Sequence, residues 1–140
     1  MRALRGDRER GAAAVEFALI VTPLLILVFA IIGFGWGFSR WVALQGGARE
    51  GVRHLAIHGS STSSNPEDAL GQASALAIES APLACGDGSC TPTTPSTIPC
   101  SPGTDIVFRL SMAEFSPIPL PFIPDLGFPK TAEAVMRCGG

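Results

Sequence analysis

The sequence predicts an α+β protein in which one long N-terminal helix crosses a membrane and carries a small outer domain. The first observation is a block of 22 residues without charge, from Phe17 to Phe38. The others are a second helical pattern after position 65 and two alternating segments near the C-terminus. We therefore expect one further helix and a two- or three-stranded antiparallel sheet beside the long helix.

The uncharged block sets the predicted topology. A helix of this length extends over roughly 33 Å, and the hydrocarbon core of a bilayer is about 30 Å thick. No second segment is comparable, so we expect a single crossing at about residues 17–38. The first ten residues hold four arginines against two acids, and positively charged flanks stay in the cytoplasm. The expected location is the cell (inner) membrane, with the N-terminus cytoplasmic and the C-terminal domain outside.

Three regions follow from this topology. Residues 1–11 form a polar leader, residues 12–57 form the long helix, and residues 58–140 form the outer domain. Within the outer domain, Asn65 is a suitable N-cap for a helix that begins at Pro66. Its apolar stripe is expected to consist of Leu70, Ala73, Leu76 and Ala77.

The rest of the outer domain contains two segments with the alternation of a half-buried strand. The first has Ile106, Phe108, Leu110 and Met112 on one face, and the second has Ala132, Ala134, Met136 and Cys138. The cysteine- and proline-containing stretch 84–102 is expected to be a loop, because it has no periodicity. The proline-rich stretch 116–124 is expected to be an extended connection, because proline cannot donate to a sheet ladder.

Four cysteines lie on the outward side of the span, where disulfides persist. We expect Cys85 to pair with Cys90 across a flexible turn. Cys100 would then pair with Cys138, because the start of one antiparallel strand lies beside the end of its neighbour. The alternatives are the crossed pairing, Cys85 with Cys100 and Cys90 with Cys138, and four free buried thiols.

Three residues inside the span are candidates for helix packing. Pro23 removes one backbone hydrogen bond and is expected to bend the helix. Gly33 and Gly37 are four residues apart, a spacing that lets membrane helices approach closely. The alternative is that these glycines are tolerated near the interface, beside Trp36 and Trp41, which fit an aromatic belt.

An acidic residue at the head of the span is the sharpest functional signal. Glu16 is costly in lipid as part of a plain anchor. It becomes useful if the chain is cut after Gly11, because the new amine of Ala12 lies one helical turn away. Glu16 of one subunit could then neutralise the Ala12 amine of a neighbour. The alternative is an incidental acid that favours the helix N-terminus.

These residues give the chain a resemblance to a known family. Gly11 followed by Glu16 matches the processing pattern of type IV prepilins. The segment Gly11-Ala-Ala-Ala-Val-Glu-Phe-Ala-Leu-Ile-Val-Thr-Pro, with Ala48-Arg-Glu-Gly-Val-Arg further on, resembles the TadE-like proteins, minor pseudopilins of the tight-adherence (Flp, type IVb) pilus. The resemblance implies cleavage between Gly11 and Ala12 by a prepilin peptidase, and other pilins and pseudopilins as partners.

The expected function is accordingly structural, as a minor pilin-like subunit or assembly factor. The sequence shows no catalytic constellation, cofactor motif, nucleic-acid stripe or small-molecule site, and we expect no enzyme. His54 and His58 are four residues apart but have no third ligand, so we expect no metal. The charged segment 48–53 is either a solvated face or a contact with a partner pilin or lipid phosphate. The alternative function is a single-pass, membrane-anchored binding or interaction domain.

Overall fold

The computed structural model describes residues 4–59, 66–86, 88–94, 100–112 and 130–138. It contains three helices, α1 (Leu4–His58), α2 (Pro66–Glu79) and α3 (Pro82–Cys85). Its three strands are β1 (Cys90–Thr93), β2 (Asp105–Met112) and β3 (Thr131–Arg137). The predicted α+β fold is confirmed. The predicted N-cap at Asn65 and the proline-rich connection lie outside the described residues.

Helix α1 is longer than the sequence indicated. It begins at Leu4, eight residues before the predicted start at Ala12, and runs without interruption to His58. Four of the eleven leader residues are arginine, which favours helix, as do Leu4 and Glu9, so the polar leader is compatible with continuing the helix. Pro23 lies inside α1, and the helix continues on both sides of it.

The three strands form one antiparallel sheet in the order β1-β2-β3. The predicted pairing of the two long strands is confirmed, with Phe108 opposite Ala134 and Leu110 opposite Ala132. The prediction of a continuous loop over residues 84–102 is wrong, because α3 extends into this stretch as far as Cys85 and β1 lies within it. Strand β1 has only four residues and includes Pro92. It is too short for a readable alternation, and an edge position tolerates its proline.

The core lies between the sheet and the C-terminal part of α1. From α1 the core takes Leu44, Ala48, Val52, Leu55 and Ala56, and from β2 it takes Ile106, Phe108, Leu110 and Met112. Helix α2 contributes alanines at four-residue spacing, which are Ala69, Ala73 and Ala77. Of the predicted stripe, Ala73 and Ala77 are buried and Leu70 packs against the core. Leu76 is only half-buried. The small alanine side chains let α1 and α2 approach closely.

The outer domain has two distinct ends along α1. At the end nearer the apolar part of α1, Arg40 contacts α3, and Cys90 is opposite Met112 in the sheet. At the far end, the backbone N–H of Cys100 donates to the carbonyl of Gly59 over 2.7 Å. We call these the span-proximal end and the distal end.

A disulfide closes each end of the domain. Cys85 is bonded to Cys90 at the span-proximal end, with Cα atoms 5.1 Å apart. Cys100 is bonded to Cys138 at the distal end, with Cα atoms 5.9 Å apart. This is the uncrossed pairing expected from the strand arrangement, and the first bond ties α3 to β1.

Candidate functional site

The apolar part of α1, residues 11–38, projects from the outer domain. Large apolar side chains cover it on all sides, and Phe17, Leu19 and Ile20 are 68–70% exposed. Within the described part of the chain, α1 is the one helix long and apolar enough to cross a membrane. A continuous apolar surface of this size requires cover by lipid or by other apolar helices.

The predicted processing site lies in the first turns of this exposed segment. Gly11, Ala12 and Glu16 are all exposed on α1. A Cβ added at Gly11 would have no atom within 4 Å, so the fold itself does not demand glycine there. Glu16 forms no salt bridge with any side chain that the structure describes. The carboxylate is therefore available to a group from another molecule.

Polar side chains in the apolar segment bond back to the helix. The hydroxyl of Thr22 donates to the carbonyl of Ala18 over 2.7 Å, and that of Ser39 donates to the carbonyl of Trp36 over 2.8 Å. Such bonds satisfy hydroxyl groups that lipid cannot satisfy. Pro23 already removes one backbone hydrogen bond from the helix. Because the Thr22 hydroxyl is paired with Ala18, the neighbouring residue adds no unpaired polar side chain.

The glycine pair of the span lies beside a cluster of aromatic rings. Gly33 is half-buried and Gly37 is buried. The rings of Phe34 and Phe38 stack with centroids 6.3 Å apart, and Phe38 is 5.9 Å from Trp41. The aromatic side chains thus collect where the apolar segment ends, as an aromatic belt requires. A role of Gly33 and Gly37 in packing against another helix stays a prediction.

Arg40 joins the end of the apolar segment to the outer domain. Its Nε donates to the carbonyl of Leu83 over 2.8 Å, and a terminal nitrogen lies 3.4 Å from the carbonyl of Ala84. Its guanidinium also lies over the ring of Trp36, 4.9 Å from the centroid. One side chain therefore connects α3 to α1 across 43 residues of sequence, a contact that residue spacing does not reveal.

Two glycines fix the packing of α1 on the domain, and the sequence analysis did not single them out. A Cβ on Gly47 would lie 2.5 Å from the carbonyl oxygen of Ala77. A Cβ on Gly51 would lie 2.6 Å from Cε1 of Phe108. Their four-residue spacing within the buried stripe that contains Leu44 and Leu55 was the available signal. These contacts make the C-terminal part of α1 an integral part of the outer domain.

The charged segment 48–53 borders a groove between α1 and β3, the outer strand of the described sheet. Ala48 and Val52 face the core, whereas Arg49 and Arg53 are exposed. The groove is lined by Gln45, Gly46, Arg49, Glu50, Val52, Arg53, Glu133, Ala134, Val135 and Met136. The guanidinium of Arg53 is 3.9 Å from the carboxylate of Glu50. An exposed ion pair of this kind contributes little to stability, so these charges are available for contacts with a partner.

The two histidines near the end of α1 are adjacent in space. Their rings stack with centroids 4.3 Å apart, and Nδ1 of His58 lies 3.2 Å from the carbonyl of His54. Among the described residues, no group of three or more histidine, cysteine, aspartate or glutamate side chains is arranged to hold a metal ion. The stacked pair lies in the last turn of α1, which ends at His58.

Comparison with known proteins agrees with the geometry of α1. The family model described as TadE-like protein matches residues 11–53. This range covers the exposed apolar segment, the Arg40 junction and the two packing glycines. No curated protein and no solved structure matches the chain. Over residues 11–53 the chain is therefore similar to TadE-like proteins, a family associated with the Tad pilus.

Proposed function

We propose that this chain is a minor pilin-like subunit, a pseudopilin, or an assembly factor of a Tad (Flp, type IVb) pilus, and that it acts through α1. The observation that supports this most strongly is the continuity of α1. The same helix presents an exposed apolar surface over residues 11–38 and enters the core of the outer domain through Leu44 and Leu55.

This continuity has a mechanical consequence for assembly. Because Gly47 and Gly51 hold α1 tightly against α2 and β2, the outer domain cannot turn freely about the helix. Packing of the apolar segment against neighbouring helices would therefore fix the position of the outer domain as well. A flexible linker between anchor and domain would not transmit position in this way.

The N-terminal residues supply a means of matching one subunit to the next. In this proposal a prepilin peptidase cleaves the bond between Gly11 and Ala12 and leaves a positive amine on Ala12. Glu16 of a neighbouring subunit then neutralises that amine in an apolar environment. An unpaired carboxylate and an unpaired amine are both costly there, so pairing favours one register between helices.

The groove between α1 and β3 gives a second surface for partners. Its exposed arginines, Arg49 and Arg53, lie on the face of α1 that the domain does not cover. In the proposed role this face contacts another pilin or pseudopilin above the membrane. The alternative function, a membrane-anchored binding domain, would use the same groove but would not need a specific sequence in the span.

A span exchange distinguishes these two functions. Residues 12–38 are replaced by an unrelated apolar span of equal length, and pili are counted by electron microscopy in cells that lack the native chain. We expect the native chain to restore pili and the exchanged chain to fail. Carbonate extraction serves as the control for membrane insertion. Electrophoretic mobility without reduction, which reports whether the disulfides have formed, serves as the control for folding of the outer domain. Full restoration of pili by the exchanged chain would reject an assembly role for α1.

A further inference from the structure

Helix α3 lies beside the end of the apolar segment of α1, where Arg40 contacts it. Helix α3 is short, and its residues Ala84 and Cys85 are buried, whereas Pro82 is exposed and Leu83 is 59% exposed. Leu83 is therefore a large apolar side chain that the outer domain leaves open at its span-proximal end.

The depth of Leu83 follows from its contact with Arg40. Arg40 comes two residues after the last residue of the predicted span, Phe38, which is a rise of about 3 Å along the helix. Its guanidinium lies over Trp36, one turn back towards the apolar segment. The carbonyl of Leu83 accepts a hydrogen bond from this same group over 2.8 Å. Helix α3 is thus held at the level of the aromatic residues that end the span.

The direction of the sheet places further groups at this level. Strand β2 runs towards the span, since Phe108 contacts the position of Gly51 and Leu110 that of Gly47. The backbone N–H of its last residue, Met112, donates a hydrogen bond to the carbonyl of Lys130. Lys130 is exposed. An exposed lysine and an exposed leucine at the same end of the domain suit the region where acyl chains meet phosphate groups.

We infer that α3 lies in the interfacial layer of the bilayer, with Leu83 inserted among the lipids, so that the outer domain rests on the membrane surface. The partner is a phospholipid surface. This partner is favoured because Arg40 links α3 directly to the end of the span in α1. This inference rests on the membrane span of the proposed function. It adds a defined orientation, in which the Cys85–Cys90 end faces the lipid and the Cys100–Cys138 end faces away.

The test is site-specific photocrosslinking of the full chain in phospholipid vesicles. Benzoylphenylalanine is introduced at Leu83, at Ile57 and at Leu27 in three separate variants. Ile57 is a matched control, because its exposure is 60% against 59% for Leu83, but it lies about 25 Å further along α1 than Arg40. Leu27 reports the span itself. Lipid adducts are measured by mass spectrometry.

We expect lipid adducts at positions 27 and 83, with roughly tenfold less at position 57. Adducts at 27 but equally few at 83 and 57 would reject the inference and leave the span intact. Absence of lipid adducts at all three positions would reject both the inference about α3 and the membrane span of the proposed function. A crosslink from position 83 to protein in place of lipid would also overturn the inference, since it would mean that another chain covers this surface.

A second measurement uses the same crosslinker at position 83 and tests whether Arg40 holds α3 at the membrane. Arg40→Met removes the hydrogen bonds to α3, and Arg53→Met is its control on the exposed face of α1. We expect the lipid adduct at position 83 to decrease several-fold with Arg40→Met and to stay unchanged with Arg53→Met. Equal yields in both variants would show that Arg40 does not hold α3 at the membrane.

Discussion

Gly51 of α1 lies directly against the aromatic ring of Phe108 in β2, and a Cβ at this glycine would come within 2.6–2.9 Å of three ring carbons. Real side chains do not pack at such distances, so the pair joins helix and sheet only while position 51 has no side chain. The contact couples α1 to the centre of the sheet, because Phe108 is fully buried.

The first prediction concerns this contact. Gly51→Ala should lower the free energy of unfolding by about 1–3 kcal/mol, because the ring or the helix must shift in a packed core. The matched control is Gly46→Ala on the same helix, where a Cβ meets no atom within 4 Å. Gly46→Ala should instead stabilise the helix, by up to about 1 kcal/mol. Denaturant unfolding in detergent, followed by tryptophan fluorescence, measures both.

A double variant tests whether the clash is the cause. Phe108→Leu shortens the side chain that faces Gly51, so Gly51→Ala should cost less in the Phe108→Leu background than in the native chain. The difference between the two costs is the coupling energy of the pair. If Gly51→Ala costs the same in both backgrounds, the glycine is required for a reason other than the ring.

The second prediction concerns the two disulfides. In the loop-entropy model, the Cys100–Cys138 bond, with a sequence separation of 38, stabilises the domain by about 4 kcal/mol. The Cys85–Cys90 bond, with a separation of 5, contributes about 2 kcal/mol in the same model. Replacing both cysteines of a pair by serine should therefore be more harmful at the distal end. The same unfolding assay compares the two double variants.

Peptide mapping without reduction provides the independent check on connectivity. We expect crosslinked peptides that join Cys85 to Cys90 and Cys100 to Cys138. A peptide that joins Cys90 to Cys138 would contradict the pairing. It would also contradict the sheet register, because Cys90 is opposite Met112 at the span-proximal end whereas Cys138 lies at the distal end.

The sequence predicted those parts of the fold that local patterns determine. Strand β2 was predictable because the buried Ile106, Phe108 and Leu110 alternate with less buried positions, so that only one face of the strand is fully buried. The span was predictable from its length and composition. Strand β1 was not, since four residues with a proline carry no period, and its pairing with β2 holds it in place.

The residues of the candidate site also fall into those that local sequence predicts and those that it does not. Gly11 and Glu16 are close in sequence, so their spacing alone indicates a processing site. The partners of Gly51 and Arg40 lie more than forty residues away along the chain. Glycine is a poor helix former, and without the fold a glycine in a helix gives no indication of what approaches it.

The third prediction concerns processing. We expect the mature chain in its native membrane to begin at Ala12, and Gly11→Leu to prevent this by crowding the peptidase site. Because a Cβ at Gly11 meets no atom of the chain within 4 Å, loss of cleavage would not reflect a damaged fold. Gly35→Ala is the control, since position 35 is equally open and lies outside the recognition segment. N-terminal sequencing reads the result, and an uncut native start at Met1 would refute cleavage.

The last prediction separates the charge of Glu16 from its other properties. Glu16→Ala and the nearly isosteric Glu16→Gln both remove the carboxylate from an exposed position on α1. Membrane insertion should be unchanged or slightly improved, because an ionised group at the lipid edge is unfavourable. Pilus number should nevertheless fall, because the Ala12 amine of the neighbouring subunit loses its partner.

Glu16→Asp keeps the charge and should retain part of the assembly. Carbonate extraction measures insertion, and electron microscopy counts pili in cells that express each variant. The three variants together assign the effect, since loss of pili with glutamine but not with aspartate requires the negative charge. Normal pilus numbers with both neutral variants would show that Glu16 serves only the helix N-terminus.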